Sequence, residues 1–317
     1  MTSPYVGPVT RGNLLGKNRL PPPPLPTGLI TMGRVTERRR VLRIRDGAAS
    51  HRADTLVAEE PLEIRLNGKP LAITMRTPGD DFALAAGFLV SEGVLGRADE
   101  LANIVYCAGA TVDGSNSYNI VDVRLAQGVP VPDITLERNV YTTSSCGLCG
   151  KASLDAVRTQ ARWPIADDPD APPVRLEPEL LSALPDRLRA AQQVFDRTGG
   201  LHAAALFTTD GELLDVREDV GRHNAVDKLV GRALQQGLLP LADKILLVSG
   251  RASFELAQKA VMAGIPVLAA VSAPSSLAVD LAAESNLTLV GFLRGASMNV
   301  YAGEQRIALR AEASGRA

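Results

Sequence analysis

The sequence has few cysteines, no long apolar run and no apolar segment at its start. Its 317 residues include only three thiols, Cys107, Cys146 and Cys149. An odd and sparse count excludes a secreted scaffold held together by disulfides. No apolar stretch approaches the roughly 18–20 residues of a membrane-spanning helix, and nothing near the N-terminus resembles a secretion signal. We therefore expect a cytoplasmic protein that does not enter a membrane.

The chain also lacks an excess of charge of either sign. Its 34 basic and 35 acidic residues give a net charge of −1, so we do not expect it to be a nucleic-acid-binding protein as a whole. Residues 1–45, however, hold nine Lys and Arg residues and one acid, Glu37, and prolines fill positions 21–24 and 26. Such a composition favours a solvated, disordered tail over 1–35, with a basic arm for a partner or a nucleic acid as the alternative.

Residues 36–145 predict a small α+β domain with an antiparallel sheet. Asn67 and Gly68 stand between two alternating segments, which is typical of a β-hairpin. Thr77 is predicted to cap a helix that has one apolar stripe, Phe82 to Val90, and ends at Gly93. The predicted strands cover 40–45, 62–66, 71–75, 104–107 and 118–125.

Residues 146–312 predict a layered α/β domain, followed by a short tail over 313–317. Six prolines between Trp163 and Pro185 indicate a linker or an irregular crossover. Beyond it, strands alternate with helices, which is typical of a layered sandwich with partly parallel strands. The predicted strands cover 202–207, 212–220, 244–249, 265–271 and 287–292, and predicted helices begin near 221 and 250, with a third between 271 and 287.

The most distinctive motif is a pair of cysteines, Cys146 and Cys149, just before a segment that can be helical. A thiol at a helix N-terminus faces unpaired N–H groups and the positive end of the helix dipole, and both favour the thiolate. Lys151 adds a positive charge. Cys107, in contrast, ends a predicted strand and is expected to be a core thiol.

Four interpretations of the cysteine pair compete. A zinc site needs two further ligands, and neither Cys107 nor the three histidines show the required spacing, so we expect no zinc. Dithiol–disulfide exchange usually accompanies a thioredoxin-like pattern, which is absent. Acceptance of a sulfane sulfur as a persulfide requires only a thiol of low pKa. Two purely structural cysteines are the last alternative.

Two further segments place cations at predicted helix starts. Residues 218–225 place Arg222 and His223 there, and residues 250–253 place Arg251. Both loops leave neighbouring strands, where α/β sheets bind ligands, and a helix N-terminus favours an anion such as phosphate. Simple helix capping is the alternative for each.

A third segment, residues 291–299, combines three features suited to a ligand. Arg294 offers a planar fork for phosphate, Phe292 offers a stacking surface, and Gly295 allows close approach. A strand that ends in a turn is the simpler interpretation.

These segments, in this order, together resemble the FdhD family of sulfurtransferase accessory proteins for formate dehydrogenase. The resemblance rests on Ser145-Cys-Gly-Leu-Cys-Gly150, on residues 218–225 and 250–255, and on Gly291-Phe-Leu-Arg294 with Met298-Asn299; it covers about residues 36–312. It implies that sulfur from a cysteine desulfurase is carried as a persulfide and passed to the molybdenum or tungsten bis-guanine-dinucleotide cofactor. It also implies a homodimer, and a cytidine-deaminase-like, three-layer sandwich for the larger domain.

The resemblance also implies roles for particular residues. Cys146 would carry the persulfide and Cys149 would assist or relay. The cofactor would be bound by Phe292, Leu293, Arg294, Gly295, Ala296 and Ser297, together with Arg222, His223 and Arg251.

The deaminase chemistry itself does not follow from this likeness. Ala225 stands where a deaminase has its Glu, and residues 250–253 contain none of the zinc-binding cysteines. We therefore exclude zinc deamination and expect the arginine-lined pocket to suit a dinucleotide phosphate. A dithiol oxidoreductase, or a cofactor-binding chaperone without sulfur chemistry, remains the alternative function.

Overall fold

The computed structural model describes residues 35–107, 118–131, 154, 157, 160–165 and 174–309. These residues belong to one compact unit of the chain, Met32–Ala317. The predicted tail up to residue 34, the cysteine pair at 146 and 149, and the last residues, 313–317, lie outside the described residues, so the predictions made for them stay predictions.

The described residues form twelve strands and six α-helices. The strands are β1 Thr36–Arg45, β2 Ala48–Val57, β3 Glu60–Leu66, β4 Lys69–Arg76, β5 Leu101–Tyr106, β6 Ile120–Leu125, β7 His202–Thr208, β8 Leu213–Asp219, β9 Lys244–Val248, β10 Val267–Ala270, β11 Thr288–Arg294 and β12 Ser297–Ala302. The helices are α1 Asp81–Ser91, α2 Pro178–Ala191, α3 Gln193–Thr198, α4 Arg222–Gln235, α5 Phe254–Met262 and α6 Ser276–Glu284. Within the described ranges, no helix is both long and apolar enough to cross a membrane.

Strands β1 and β2 form a separate two-stranded ribbon, and none of its residues is buried. A four-stranded sheet follows, in the order β4-β3-β6-β5. The predicted hairpin at Asn67 and Gly68 is confirmed, since it joins β3 to β4. The prediction of an antiparallel sheet is wrong in one place: β6 runs parallel to β3. The chain crosses over through α1 before it forms β5, so that β6 can insert between β3 and β5.

Helix α1 differs from the prediction at its start and in its burial. Asp80, in a left-handed conformation with φ of 55°, precedes the helix. Thr77 does not cap it; its hydroxyl oxygen accepts the N–H of Val220 instead. Residues on more than one face of α1 are buried, because the helix also packs against α4. The two helices cross at Gly87 and Gly231, where a Cβ on either glycine would fall on the backbone of the other helix.

The second large sheet has six strands in the order β12-β11-β10-β9-β7-β8. Strands β9, β10 and β11 are parallel, and β7, β8 and β12 extend the sheet with antiparallel pairs. One face packs on α4, α5 and α6, and the other on α2. Three layers result, as predicted.

Part of the predicted proline-rich linker is helical. Pro178 begins α2, where its missing N–H is not needed, although Pro185 lies within the helix. Leu181, Leu184 and Leu188 of α2 are fully buried against the sheet. Strand β12 and helix α3 were not predicted.

The core beneath α4 and α5 is continuous with that of the four-stranded sheet. Leu62 and Val121 of the smaller sheet belong to the same apolar cluster as Leu246 and Leu268 of the larger one. Leu154 and Val157 are helical and join this cluster. The domain division at residue 145 stays a prediction.

Candidate functional site

The candidate site lies at the edge of the six-stranded sheet where its three parallel strands end. Backbone hydrogen bonds tie the loops that follow these strands to one another. The N–H of Ser272 donates to the carbonyl of Gly250 at 3.3 Å, and the N–H of Phe292 donates to the carbonyl of Ser272 at 3.1 Å. Because β8 also ends here, α4 begins at the same edge. The prediction that the loops holding Arg222 and Arg251 leave neighbouring strands is wrong, since β7 lies between β8 and β9.

Arg222 and His223 are the first two residues of α4, as predicted. The Nε of Arg222 is buried and has no hydrogen-bond partner among the described residues. His223 Nε2 lies 2.7 Å from Glu255 Oε2 and 3.3 Å from Ser253 Oγ. This contact with His223 is the main reason that the pKa of the Glu255 carboxyl is lowered. The starts of α4 and α5 are thus joined.

His202, which sequence reasoning missed, stands beside these cations as the first residue of β7. Burial lowers the pKa of its imidazole, and the charges of Arg222 and His223 lower it further. Gly250 lies against the imidazole, since a Cβ there would be in van der Waals contact with His202 Nδ1 at 3.4 Å. The signal in the sequence was weak, because His202 sits in a run of alanines typical of a buried strand.

Arg294 ends β11 and reaches across to the neighbouring loop. Its Nε donates to the carbonyl of Val271 at 3.1 Å, and the residue is otherwise exposed. Phe292 has a φ of 52°, and its side chain is 41% exposed. Leu293 points the other way and is fully buried in the core that faces α2, so only its backbone is available to a ligand.

The rest of the predicted cofactor-binding stretch forms the tight turn between β11 and β12. Gly295 has a φ of 52°, as a glycine in such a turn allows. Ala296 and Ser297 are exposed beside it. Arg251 is exposed on the loop after β9, and no described carboxylate pairs with it.

The two acids of the 218–225 motif have structural roles that sequence reasoning did not assign. Asp219 is fully buried, and its Oδ2 lies 2.7 Å from Lys228 Nζ. It also accepts hydrogen bonds from the backbone N–H groups of Thr77 and Gly221. Glu218 accepts the backbone N–H groups of Val194 and Phe195 in the first turn of α3. The motif therefore fixes the surrounding elements while it presents Arg222.

The prediction that Cys107 is a core thiol is wrong. The residue is only partly buried, because β5, which it follows, is the edge strand of its sheet. Ala225, where a deaminase has its Glu, is fully buried. Within the part of the chain that the structure describes, no group of three His, Cys, Asp or Glu side chains could hold a metal ion.

Comparison with known proteins identifies the family. Residues 57–308 match the model of the FdhD/NarQ family. The chain belongs to the FdhD/NarQ family. A relative from Streptomyces avermitilis, named sulfur carrier protein FdhD, is 87% identical over 89% of this chain and 99% of its own length. A Mycobacterium tuberculosis protein of the same name is 56% identical over 87% of this chain and 100% of its own length.

A solved structure also resembles this FdhD/NarQ chain. It comes from Desulfotalea psychrophila and is described as a formate dehydrogenase accessory protein. It matches with a TM-score of 0.65 and 25% identity, over 86% of this chain and 100% of its own. The mixed α/β fold is thereby confirmed, while the likeness to cytidine deaminases stays a prediction.

Proposed function

We propose that this chain is a sulfur carrier for formate dehydrogenase. It accepts sulfur from a cysteine desulfurase and passes it to the molybdenum or tungsten bis-guanine-dinucleotide cofactor, which it binds as a substrate. The observation that carries the proposal is a set of three arginines, Arg222, Arg251 and Arg294, at the ends of strands β8, β9 and β11 on one edge of the sheet. None of them pairs with a carboxylate among the described residues.

These arginines suit the phosphates of a dinucleotide. A guanidinium group binds phosphate through two parallel hydrogen bonds, and such charge-assisted bonds are stronger than neutral ones. The buried Nε of Arg222 has lost its water without gaining a partner in the described residues, which is costly unless a ligand supplies an acceptor. Arg222 also stands at the N-terminus of a 14-residue helix, whose dipole favours an anion.

The sulfur chemistry is assigned to Cys146 and Cys149. The thiolate of Cys146 attacks the terminal sulfur of the desulfurase persulfide, so that a new S–S bond forms and the donor cysteine leaves as a thiolate. Attack by Cys149 on the Sγ of Cys146 then releases the carried sulfur as hydrosulfide and leaves a disulfide. A cellular dithiol restores the two thiols. The support for these roles is the sequence motif and the name of the relatives.

Intact mass spectrometry tests the sulfur step. After incubation with a cysteine desulfurase and L-cysteine, the wild-type chain is expected to gain one sulfur atom on the peptide that contains Cys146. Cys146→Ala should abolish this gain and the maturation of formate dehydrogenase, whereas Cys107→Ala is the matched control and should keep both. Sulfur on Cys149 in the Cys146→Ala variant, with maturation intact, would show that the two roles are reversed or shared.

We also propose that the chain forms a homodimer through its ribbon. Leu42 and Ile44, which are 55% and 69% exposed, lie on one face of β1, and an isolated two-stranded ribbon is marginally stable in water. Residues 1–45 carry a net charge of +8, and the remaining residues carry −9, so a second copy offers the complementary charge. The exposed Ile73 and Met75 on edge strand β4 offer it an apolar stripe.

A further inference from the structure

The imidazole of His223 is held on one side by the start of α5. Its Nε2 lies 2.7 Å from Oε2 of Glu255 and 3.3 Å from Oγ of Ser253. Ser253 is the N-cap residue of α5, but its side chain does not cap that helix, so its hydroxyl is available to the imidazole. Two oxygens from neighbouring positions therefore fix the Nε2 edge of the ring.

The other ring nitrogen of His223, Nδ1, is left for a ligand. No described residue forms a hydrogen bond to it, and the side chain is 23% exposed. A carboxylate bonded to one imidazole nitrogen determines which nitrogen carries the proton in the neutral ring. In neutral His223 the proton is thus on Nε2, and Nδ1 is an acceptor. A second proton turns Nδ1 into a donor and gives the ring a positive charge.

The charged groups around His223 come from α4, α5 and β7. Arg222 precedes it on α4, and the charges of Arg222 and His223 both lower the pKa of His202 on β7. Asp227, four residues further along α4, is buried and paired with a lysine of α5 at 2.7 Å. Glu255 is the acid that contacts His223 directly, so it is the group that can balance a charge on the imidazole.

We propose that Glu255 is a positioning residue that prepares His223 to bind the phosphate held by the three arginines, and that Nδ1 takes up a proton when the phosphate binds. The inference rests on the proposed function. The imidazolium and Arg222 donate to one anion at the start of α4, where the helix dipole also favours negative charge. Because Glu255 has already oriented the ring, little conformational freedom is lost on binding. The proton comes from solvent and returns to it when the anion leaves.

NMR spectroscopy of the full chain follows this proton directly, because the chain contains only three histidines. The ¹⁵N shifts of the imidazoles report tautomer and protonation, and the variants His51→Gln and His202→Gln assign the resonances. Neutral His223 should carry its proton on Nε2. Sulfate, which stays fully ionised throughout, is the probe, and it should move the titration of His223 to higher pH, since proton and anion binding are reciprocal. A titration that saturating sulfate leaves in place overturns the inference.

Calorimetry with sulfate gives a second readout, the pH profile of binding. The wild-type affinity should fall about tenfold between about pH 5 and 8, because one charge-assisted hydrogen bond is lost. His223→Gln should remove most of this fall. Glu255→Gln should move the fall to lower pH, because a neutral amide does not stabilise the imidazolium, and Glu255→Asp should restore the profile in part. Glu212→Gln, exposed at the opposite end of the β7–β8 hairpin, is the matched control and should behave as wild type.

The opposite result for Glu255 is easily recognised. If this carboxylate acted only by repelling the anion, Glu255→Gln would bind sulfate more tightly at every pH and keep the wild-type profile, which would overturn the inference. The side chain is 44% exposed, so the variant should fold, and thermal melts check this.

The possible failures also separate this inference from the proposed function. If Arg294→Ala weakens sulfate binding while Glu255→Gln leaves the pH profile unchanged, only the inference is overturned. If the wild type binds neither sulfate nor GDP at any pH, the inference and the proposed phosphate site are both overturned.

Discussion

Replacement of Arg294 by alanine is the most direct test of the phosphate site. Among the described residues this side chain makes one hydrogen bond, from Nε to the neutral carbonyl of Val271 at 3.1 Å, and it is exposed. Because this bond lies at an exposed position, its loss should change stability little, so the variant should remain folded. No described residue bonds to the terminal nitrogens of Arg294, so they can bind phosphate.

The expected loss of affinity follows from the kind of bond that is removed. A hydrogen bond to a charged group contributes about 1.5–3 kcal/mol, and every 1.4 kcal/mol corresponds to a tenfold change in Kd. Arg294→Ala should therefore raise the Kd for GDP about ten- to a hundred-fold. Arg294→Lys should recover part of this loss, because it restores the charge but not the planar fork.

Isothermal titration calorimetry at low and high salt provides the measurement. The wild-type affinity should fall as salt rises, and Arg294→Ala should reduce this dependence because one phosphate contact is gone. Arg232→Ala, at the other end of α4, is the matched control and should bind GDP as the wild type does. Equal GDP affinity for the wild type and Arg294→Ala would refute the assignment, whereas sulfur loading should persist in both.

Three further predictions concern the fold. Gly231→Ala would push a Cβ into the backbone of α1 and should lower the free energy of unfolding in urea by about 3 kcal/mol or more; an unchanged midpoint would contradict the close helix crossing. Because the folded-state pKa of His202 lies below its ordinary value of 6.5, protonation favours unfolding, so stability should be fully present above pH 6.5 and fall below it. His202→Gln should flatten this dependence in thermal melts, while His51→Gln on the exposed ribbon should not. Ile44→Glu should convert a dimer into a monomer in light scattering, whereas Leu214→Glu, at an exposed apolar position on β8, should not; a dimer that survives Ile44→Glu would exclude the ribbon interface.

Local patterns predicted those elements whose residues carry their own signal. The hairpin at Asn67 and Gly68 was predicted because the turn chemistry acts within a few residues. The parallel pairing of β3 with β6 was not predicted, since it depends on contacts between segments more than fifty residues apart. Helix α2 was hidden by its prolines, because tertiary burial of Leu181, Leu184 and Leu188 outweighs the cost of Pro185 within the helix.

The sequence also placed some residues of the candidate site and missed others. Arg222 and Arg251 could be placed at the carboxyl edge from sequence, because each stands at a helix start after a strand and parallel strands end at one edge. His202 and Gln192 could not. Each is a single polar residue in an apolar segment, and only the packed structure shows that they face a common cavity.

The buried charges explain how Arg222 is held in place without a carboxylate partner among the described residues. Asp219 lies three residues before Arg222, and it is tied to Lys228 of α4 and to the backbone of Thr77 before α1. Lys228 also donates to the carbonyl of Thr77 at 2.8 Å. Removal of one member of such a buried pair leaves an uncompensated charge and destabilises strongly. The start of α4 is therefore fixed from beneath by groups that never meet the ligand, so that Arg222 loses little conformational freedom when a phosphate binds.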